Sequence, residues 1–393
     1  MNNILKDRPS VGDIVVILNG KKKFVSGTEC TSDFINSLDA VGVVYSVQGN
    51  LVRIVGGSNT TGKQWSCVAD YEITAIPASS GDYAVTLNGV SQGDFTYTKD
   101  SGTIEEFTTQ LNTWLAAQAA GTKAKKWEAY TNDGHSYLQM KTYDEYESTV
   151  TIASTTLVKL IGSELAAYTN STTLNAVKQA STYNGMCRDR LDKWARNNDS
   201  ANNNPSGVMN GTTQLFETFP CSYAYYSGAK GTGLRAHFAT YEDYLDACMA
   251  RLFELNKGTM QFRDGKLMTS LLNAKTVLKN GVETPAYSAA DWAAKYNTGV
   301  EGFGAGVFWL PSMFELGLLM RDIKTDFTDK VNQALAKKSG WSQINPGSSR
   351  WSVSRYGSGS AWSYDLYGIT DGGYRYFYLS LTVSAVSAFT LDD

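Results

Sequence analysis

The stretch from Arg350 to Asp393 constrains this chain most, because it mixes two kinds of position that ask opposite things of a fold. Between Ser352 and Ser384 stand only Tyr, Ser, Gly, Arg, Asp, Thr, Leu, Val, Ile, Phe and Ala with a single Trp; Lys, Glu, Gln, Met, His and Cys are missing. Tyrosine offers broad amphipathic contact area at little rotamer cost, and Ser and Gly supply small adaptable spacers, the alphabet of binding loops. Tyr356, Tyr364, Tyr367, Tyr374, Tyr376 and Tyr378 fit the first role, and Ser354, Ser358, Ser360, Gly357 and Gly359 the second. A surface that accepts many side chains carries little of the stability, since exposed substitutions usually fall within about ±0.5 kcal/mol. The backbone must then be held from below. Phe308, Trp309, Leu310, Trp351, Trp362, Val386 and Phe389 are the residues expected to form that buried frame, with the tyrosines pointing outward. Such a face suits binding better than catalysis.

The missing residues are informative as a set. An asparagine codon of the AAC or AAT kind, randomised only at its adenines, reaches every residue present from Ser352 to Ser384 except Trp362. It never reaches Lys, Glu, Gln, Met or Trp. Trp362 lies in the pair Ala361-Trp362, where a fixed anchor is expected. Aromatic enrichment is also ordinary in strands, so the pattern alone leaves both origins open.

The order Trp309-Leu310-Pro311-Ser312-Met313-Phe314-Glu315-Leu316, then Trp351-Ser352, then Ala361-Trp362, then Val383-Ser384-Ala385-Val386-Ser387-Ala388-Phe389 resembles the C-type-lectin-fold variable proteins of diversity-generating retroelements. Phage tropism determinants belong to that family. The resemblance is clearest over Gly302 to Leu391 and thins toward Gly185. It implies an α+β chain with a C-terminal C-type lectin-like domain, a last segment rewritten by a reverse transcriptase, and no enzymatic activity. It also implies a homotrimeric tip on the virion, contacting phage tail proteins on one side and a bacterial surface receptor, protein or glycan, on the other. The residues expected to touch that receptor are Ser354, Arg355, Tyr356, Ser358, Ser360, Tyr364, Asp365, Tyr367, Asp371, Tyr374, Arg375, Tyr376 and Tyr378. Arg355 and Arg375 would add charge-assisted hydrogen bonds to carboxylates, phosphates or sugars. Two departures stand out: Ser384 occupies a place where relatives commonly carry Arg, and Arg355 one where they often carry Glu. The first implies that a buried polar anchor is missing.

Other readings have less behind them. Formylglycine-generating enzymes share a variant of the fold, and Leu310-Pro311-Ser312 with Glu315 is faintly similar to them. They need a reactive cysteine pair near the C-terminal core, and no cysteine follows Cys248. Calcium-dependent lectins use Glu-Pro-Asn, Gln-Pro-Asp or Trp-Asn-Asp triplets, all absent; the nearest piece, Asn345-Pro346-Gly347, lacks the acid. A bacterial surface adhesin would need an export signal, and Met1 to Asp7 has neither the apolar stretch nor the cleavage site of one.

The net charge is −3, and Lys and Arg are dispersed apart from Lys21-Lys22-Lys23 and Lys123 to Lys126, so no basic footprint for nucleic acid exists. Both clusters read as solvated turns. No run of about 18 apolar residues is present, so membrane insertion by a helix is not expected. The cysteines Cys30, Cys67, Cys187, Cys221 and Cys248 are scattered and lack zinc spacing. Each reads as a buried reduced thiol, with a pairing of Cys187 to Cys221 or Cys248 left open. The lone histidines His135 and His237 read as structural or exposed residues. No metal and no cofactor is expected.

At 393 residues the chain has room for several cores. Residues 1–77 read as a small β domain, with hairpins turning at Asn19-Gly20 and Gly49-Asn50. Pro77-Ala78-Ser79-Ser80-Gly81 reads as a linker. Residues 78–165 read as a second α+β domain: a hairpin about Asn88-Gly89, a helix opened by Thr103 and Glu106, and strands near Trp127, Tyr137 and Thr149. Residues 166–393 form the lectin-like domain, with a variable region over about 350–384. It begins with a helix over 184–197 and the loop Asn197 to Pro205, whose oxygens lack EF-hand spacing and read as a turn. Thr240 with Asp243 opens a further helix that Gly258 closes. Ser312 with Glu315 caps another expected to run through Val331, which makes Glu315 structural rather than catalytic.

Overall fold

The computed structural model describes residues 4–62, 69–87, 89–118, 127–140, 150–153, 157–163, 221–227, 238–255, 265–274, 276–279, 282–285, 287–357, 360–364, 373–376 and 379–391. The expected helix over 184–197, the Asn197 to Pro205 loop, Lys123 to Lys126, Cys67, Cys187 and His237 lie outside them.

In chain order the first elements are β1 (Leu5–Lys6), β2 (Asp13–Leu18), β3 (Lys21–Ser26), α1 (Ser32–Asn36), β4 (Asp39–Gln48) and β5 (Leu51–Gly62). Next come β6 (Ala69–Ile73), β7 (Gly81–Leu87), β8 (Val90–Tyr97), α2 (Ile104–Ala117), β9 (Trp127–Asn132), β10 (His135–Met140), β11 (Val150–Ile152) and β12 (Val158–Ser163). Helices α3 (Tyr223–Ser227), α4 (Tyr241–Leu255) and α5 (Gly265–Asn273) precede β13 (Thr276–Lys279), β14 (Val282–Pro285) and α6 (Ser288–Lys295). The last part holds α7 (Met313–Met320), α8 (Lys330–Leu335), β15 (Arg350–Gly357), β16 (Ser360–Tyr364), β17 (Gly373–Tyr376) and β18 (Leu381–Thr390). The chain is thus α+β. None of the described helices is long and apolar enough to cross a membrane.

The hairpin turns fall where the sequence put them. Asn19 and Gly20 both take positive φ, 51° and 72°, the pairing a type I′ turn demands, and they join β2 to β3. Gly49-Asn50 joins β4 to β5. Lys21, Lys22 and Lys23, expected in a solvated turn, instead start β3. Alternation on a strand gives each its own neighbour: the Lys22 ammonium lies 5.0 Å from the Phe389 ring, and Lys23 pairs with Asp7.

Residues 1–77 do not form a separate domain. Strands β1 to β5 and β15 to β18 make one nine-stranded sheet in the order β1-β3-β2-β4-β5-β18-β15-β16-β17. The seam is the antiparallel pair β5–β18, which runs from Leu51↔Thr390 to Gly62↔Leu381 with a bulge between Ser384 and Val386. β5 presents two edges of backbone N–H and C=O groups; β4 covers one, and leaving the other bare in a buried sheet is costly. The sheet also curls. Four inter-strand steps separate β3 from β18, about 19 Å in a flat sheet, yet the Phe24 and Phe389 rings stack at 6.4 Å. Gly56 and Gly57 in β5 leave room for aromatic cover: a Cβ on Gly56 would lie 2.6 Å from the Tyr296 ring, and one on Gly57 would overlap the Trp341 ring.

The second unit starts earlier than Pro77. β6 joins β12, β10 and β9 in the order β12-β6-β10-β9, while β11-β7-β8 form a three-stranded sheet. Phe107, Leu111 and Leu115 of α2 are buried against these strands, with Phe95 edge-on to Phe107 at 5.6 Å. The Thr103 hydroxyl caps α2 by accepting from the Glu106 amide at 3.2 Å. The Glu106 carboxylate gathers the loop before it, accepting from the Asp100, Ser101 and Gly102 amides and from the Ser101 hydroxyl. The Ser101 hydroxyl and these amides hold its pKa at about 2, against an ordinary 4.5. Because the folded value is depressed, this contribution is present above pH 4.5 and is lost as pH falls toward about 2. Hydrogen-exchange protection at Asp100, Ser101 and Gly102 is expected to fall over that window and to be weak at all pH values in Glu106→Gln. Protection unchanged by acid would refute the assignment.

Candidate ligand-binding face

The frame beneath the last segment is built from α7 upward. Ser312 is the N-cap, and its hydroxyl accepts from the Glu315 amide at 3.2 Å. Glu315 returns the contact by accepting from the Ser312 amide at 2.8 Å and from its hydroxyl at 3.0 Å, a complete capping box. The second carboxylate oxygen accepts from Trp309 Nε1 at 2.9 Å. Burial pushes the Glu315 carboxyl above its ordinary range, against those hydrogen bonds and the nearby Arg53 charge, which pull it down. Each of these three hydrogen bonds satisfies a buried donor of the chain itself. α7 stops at Met320 rather than continuing to Val331. Phe327 takes a positive φ of 59°, and Asp329 caps a new helix, α8, by accepting from the Asn332 amide at 2.8 Å.

This helix layer grips the C-terminal strands through backbone. Trp309 and Val386 exchange two hydrogen bonds of 2.9 Å, and the Val353 amide donates to Pro311 O at 2.8 Å. β18 lies between β5 and β15, which it meets in parallel at Arg350↔Thr382. β15 pairs with β16, and β16 with β17, the last strand of the sheet among the described residues. Phe308, Trp309, Leu310, Trp351, Trp362 and Val386 are buried, as expected of a frame, and Phe389 is partly buried against the same core. Trp351 donates its Nε1 to Gly62 O at 2.9 Å, reaching across β18 to the end of β5.

Two expected contact residues belong to this frame instead. Ser354 is 0 % exposed, and its hydroxyl accepts from the Met313 amide at 3.1 Å, one of the donors left open at the start of α7. Tyr364 is also 0 % exposed and donates to Cys221 O at 3.3 Å. Helix α7 packs on both β15 and β16, and Ala361, Trp362, Ser363 and Tyr364 are buried in succession. Tyr241 of α4 donates to the same Cys221 carbonyl and lies 4 % exposed. The two phenols therefore tie β16 to the helices beneath it.

Of the remaining expected contacts, Arg355 and Tyr356 lie on β15, Ser360 begins β16, and Tyr374, Arg375 and Tyr376 lie on β17. The register sets Tyr374 across from Trp362, Arg375 from Ala361 and Tyr376 from Ser360. Arg375 is half-buried. Ser358, Asp365, Tyr367, Asp371 and Tyr378 lie outside the described residues.

Sequence reasoning overlooked Arg350, Ser352 and Ser363, all buried. Ser352 donates to Trp362 O at 2.7 Å and locks β15 to β16. Arg350 is 1 % exposed and donates from Nη1 to Ser384 Oγ at 2.8 Å, so a buried polar anchor is present after all, supplied from the neighbouring strand. Desolvation lowers the Arg350 pKa to about 10, which still leaves it charged at neutral pH. The signal that could have found it is position: Arg350 precedes the frame residue Trp351 and lies outside the restricted alphabet's core.

A separate cleft of ≈ 730 Å³ opens between β3 and the end of β18, with Phe24, Phe303 and Phe389 among its walls and Lys21, Glu301 and Asp7 at its rim. None of its lining residues comes from β15, β16 or β17. Among the described residues no three His, Cys, Asp or Glu converge as a metal site, and the exposed His135 lies 3.1 Å from Glu72 and beside the Tyr137 ring. No family model, curated protein or solved structure matches the chain.

Proposed function

We propose that this chain is a phage tail receptor-binding protein of the C-type lectin fold, whose C-terminal segment docks on a bacterial surface molecule and is open to diversification. The observation that carries the reading is the division of labour in the last three strands. Trp351, Trp362 and Tyr364 are sealed in the frame, while β17, at the edge of the sheet among the described residues, carries Tyr374, Arg375 and Tyr376, residues of the contact alphabet. The restricted residue set from Ser352 to Ser384 and the ordered resemblance from Trp309 to Phe389 point the same way. The contact set is Arg355, Tyr356, Ser360, Tyr374, Arg375 and Tyr376 on the strands, with Ser358, Asp365, Tyr367, Asp371 and Tyr378 from the intervening chain; Ser354 and Tyr364 drop out. Docking is reversible, and single-site affinity can be weak. In a homotrimer displayed in several copies, linkage gains a factor of roughly 10² to 10⁴ over one site.

The test replaces Tyr374 and Tyr376 together with Ser in the virion. Adsorption to host cells is expected to fall at least tenfold while the melting temperature of the purified protein moves by no more than about 2 °C, as for exposed positions. Normal adsorption, or a collapse in melting temperature, would each sink the assignment of these two residues to the contact face. Diversification has its own test in the flanking DNA. A reverse-transcriptase gene and a near-copy of the Trp351 to Phe389 segment with asparagine-type codons at the variable positions are expected.

A further inference from the structure

Two buried cysteines meet beneath Tyr364 of β16. Cys221 and Cys248 are both 0 % exposed and both free thiols, one at the entry to α3 and the other within α4. They lie 27 positions apart in sequence, yet the Cys221 amide donates to Cys248 Sγ at 3.4 Å. Cys221 Cα is one bond from that nitrogen and its Cβ two, so the Cys248 sulfur is within reach of the Cys221 side chain. The backbone at Cys221 is held in a conformation that side chains rarely adopt, φ 66°, by the hydroxyls of Tyr241 and Tyr364, which both donate to its carbonyl. Nothing in the packing of a small apolar pair requires sulfur at both positions.

We infer that Cys221 and Cys248 are a latent intrachain disulfide, open in a reducing compartment and closed outside it, which joins the entry of α3 to α4 beneath Tyr364 of β16. Closure needs an oxidant, and a small disulfide such as oxidised glutathione supplies it. One protein thiolate attacks a glutathione sulfur and releases one glutathione; the second displaces the other glutathione and forms the S–S bond. Two electrons and two protons leave on the two reduced glutathiones. Burial, and then the neighbouring thiol, push the Cys221 thiol well above its ordinary range, so exchange is slow in the folded state and quick during refolding. The proposal is independent of the receptor-binding reading.

The full chain, unfolded and refolded in a glutathione redox buffer, is the test. Thiol titration in denaturant is expected to fall from five free thiols to three, with peptide mapping joining the Cys221 and Cys248 peptides. The closed loop should raise the melting temperature by roughly 5 °C over the reduced protein, and Cys248→Ala should lose both the thiol consumption and the rise. A bond through Cys187, glutathione adducts in its place, or no thiol consumption would overturn the inference. So would a linked form that melts below the reduced one, because the bond would then distort the native fold.

Discussion

Replacing Trp351 with Ala is expected to destabilise the protein by about 3–5 kcal/mol, the cost of truncating a fully buried large aromatic. Trp351 is 0 % exposed on β15, and its indole N–H donates to Gly62 O at the end of β5. It therefore spans β18 and joins the sequence-distant parts of the sheet. Trp351→Phe keeps much of the apolar burial but loses the hydrogen bond, so it should cost less. Trp362→Ala should behave like Trp351→Ala, since Trp362 is 1 % exposed and lies on the strand that carries β17. Denaturant unfolding of the purified variants measures all three. A loss below about 1 kcal/mol for either Ala variant would mean that the frame rests elsewhere. Adsorption should fail in these variants only where folding fails, the reverse of the Tyr374 and Tyr376 pair.

Removal of the Glu315 carboxylate should come close to that in size. Glu315→Ala strips the acceptor from Ser312 N, Ser312 Oγ and Trp309 Nε1, all buried. Each orphaned donor costs about 1–3 kcal/mol, so a loss of about 3 kcal/mol or more is expected, with the start of α7 exchanging its amides faster. Glu315→Gln should recover only part of this, because its NH₂ would meet groups that already donate. Acid gives an independent readout. Desolvation raises the folded pKa above the ordinary 4.5, so the folded protein keeps this proton to higher pH than the unfolded chain does. The resulting stabilisation is present below pH 4.5 and is lost as pH rises through the folded pKa. Wild type should therefore gain melting temperature relative to Glu315→Gln on acidification across that window, with Arg53 and Tyr45 as the nearby groups that modulate it. An acid-insensitive difference would show that the carboxyl is not desolvated.

Local chemistry was the part of the fold that could be read directly. The positive φ of Asn19 and Gly20, the caps at Thr103, Thr240 and Ser312, and the buried stripe Tyr241, Tyr244, Leu245, Cys248 and Met249 each follow from residues within a few positions of one another. Where a second local signal competed, reading by periodicity went wrong. Leu316, Leu319, Ile323, Phe327 and Val331 keep helical spacing, yet Thr328-Asp329 starts a new helix because its side chains hold the turn and the cap together. The candidate face was legible in its alphabet and its anchors, and illegible in its burial. Ser354 and Tyr364 are of the residue types expected at contact positions, and their burial follows from partners distant in sequence, Met313 at the start of α7 and Cys221 before α3.

Strands, turns, caps and aromatic anchors are set by the chain locally, because each depends on steric and hydrogen-bonding preferences of adjacent residues. That β5 takes β18 as its second neighbour, so that strands from residues 5–62 and 350–390 share one sheet, follows from long-range packing alone. A strand's pattern states which edge needs a partner but not which distant strand supplies it. That choice belongs to the curl of the sheet and the helices packed on it, and with it goes the burial of Ser354 and Tyr364 in the frame.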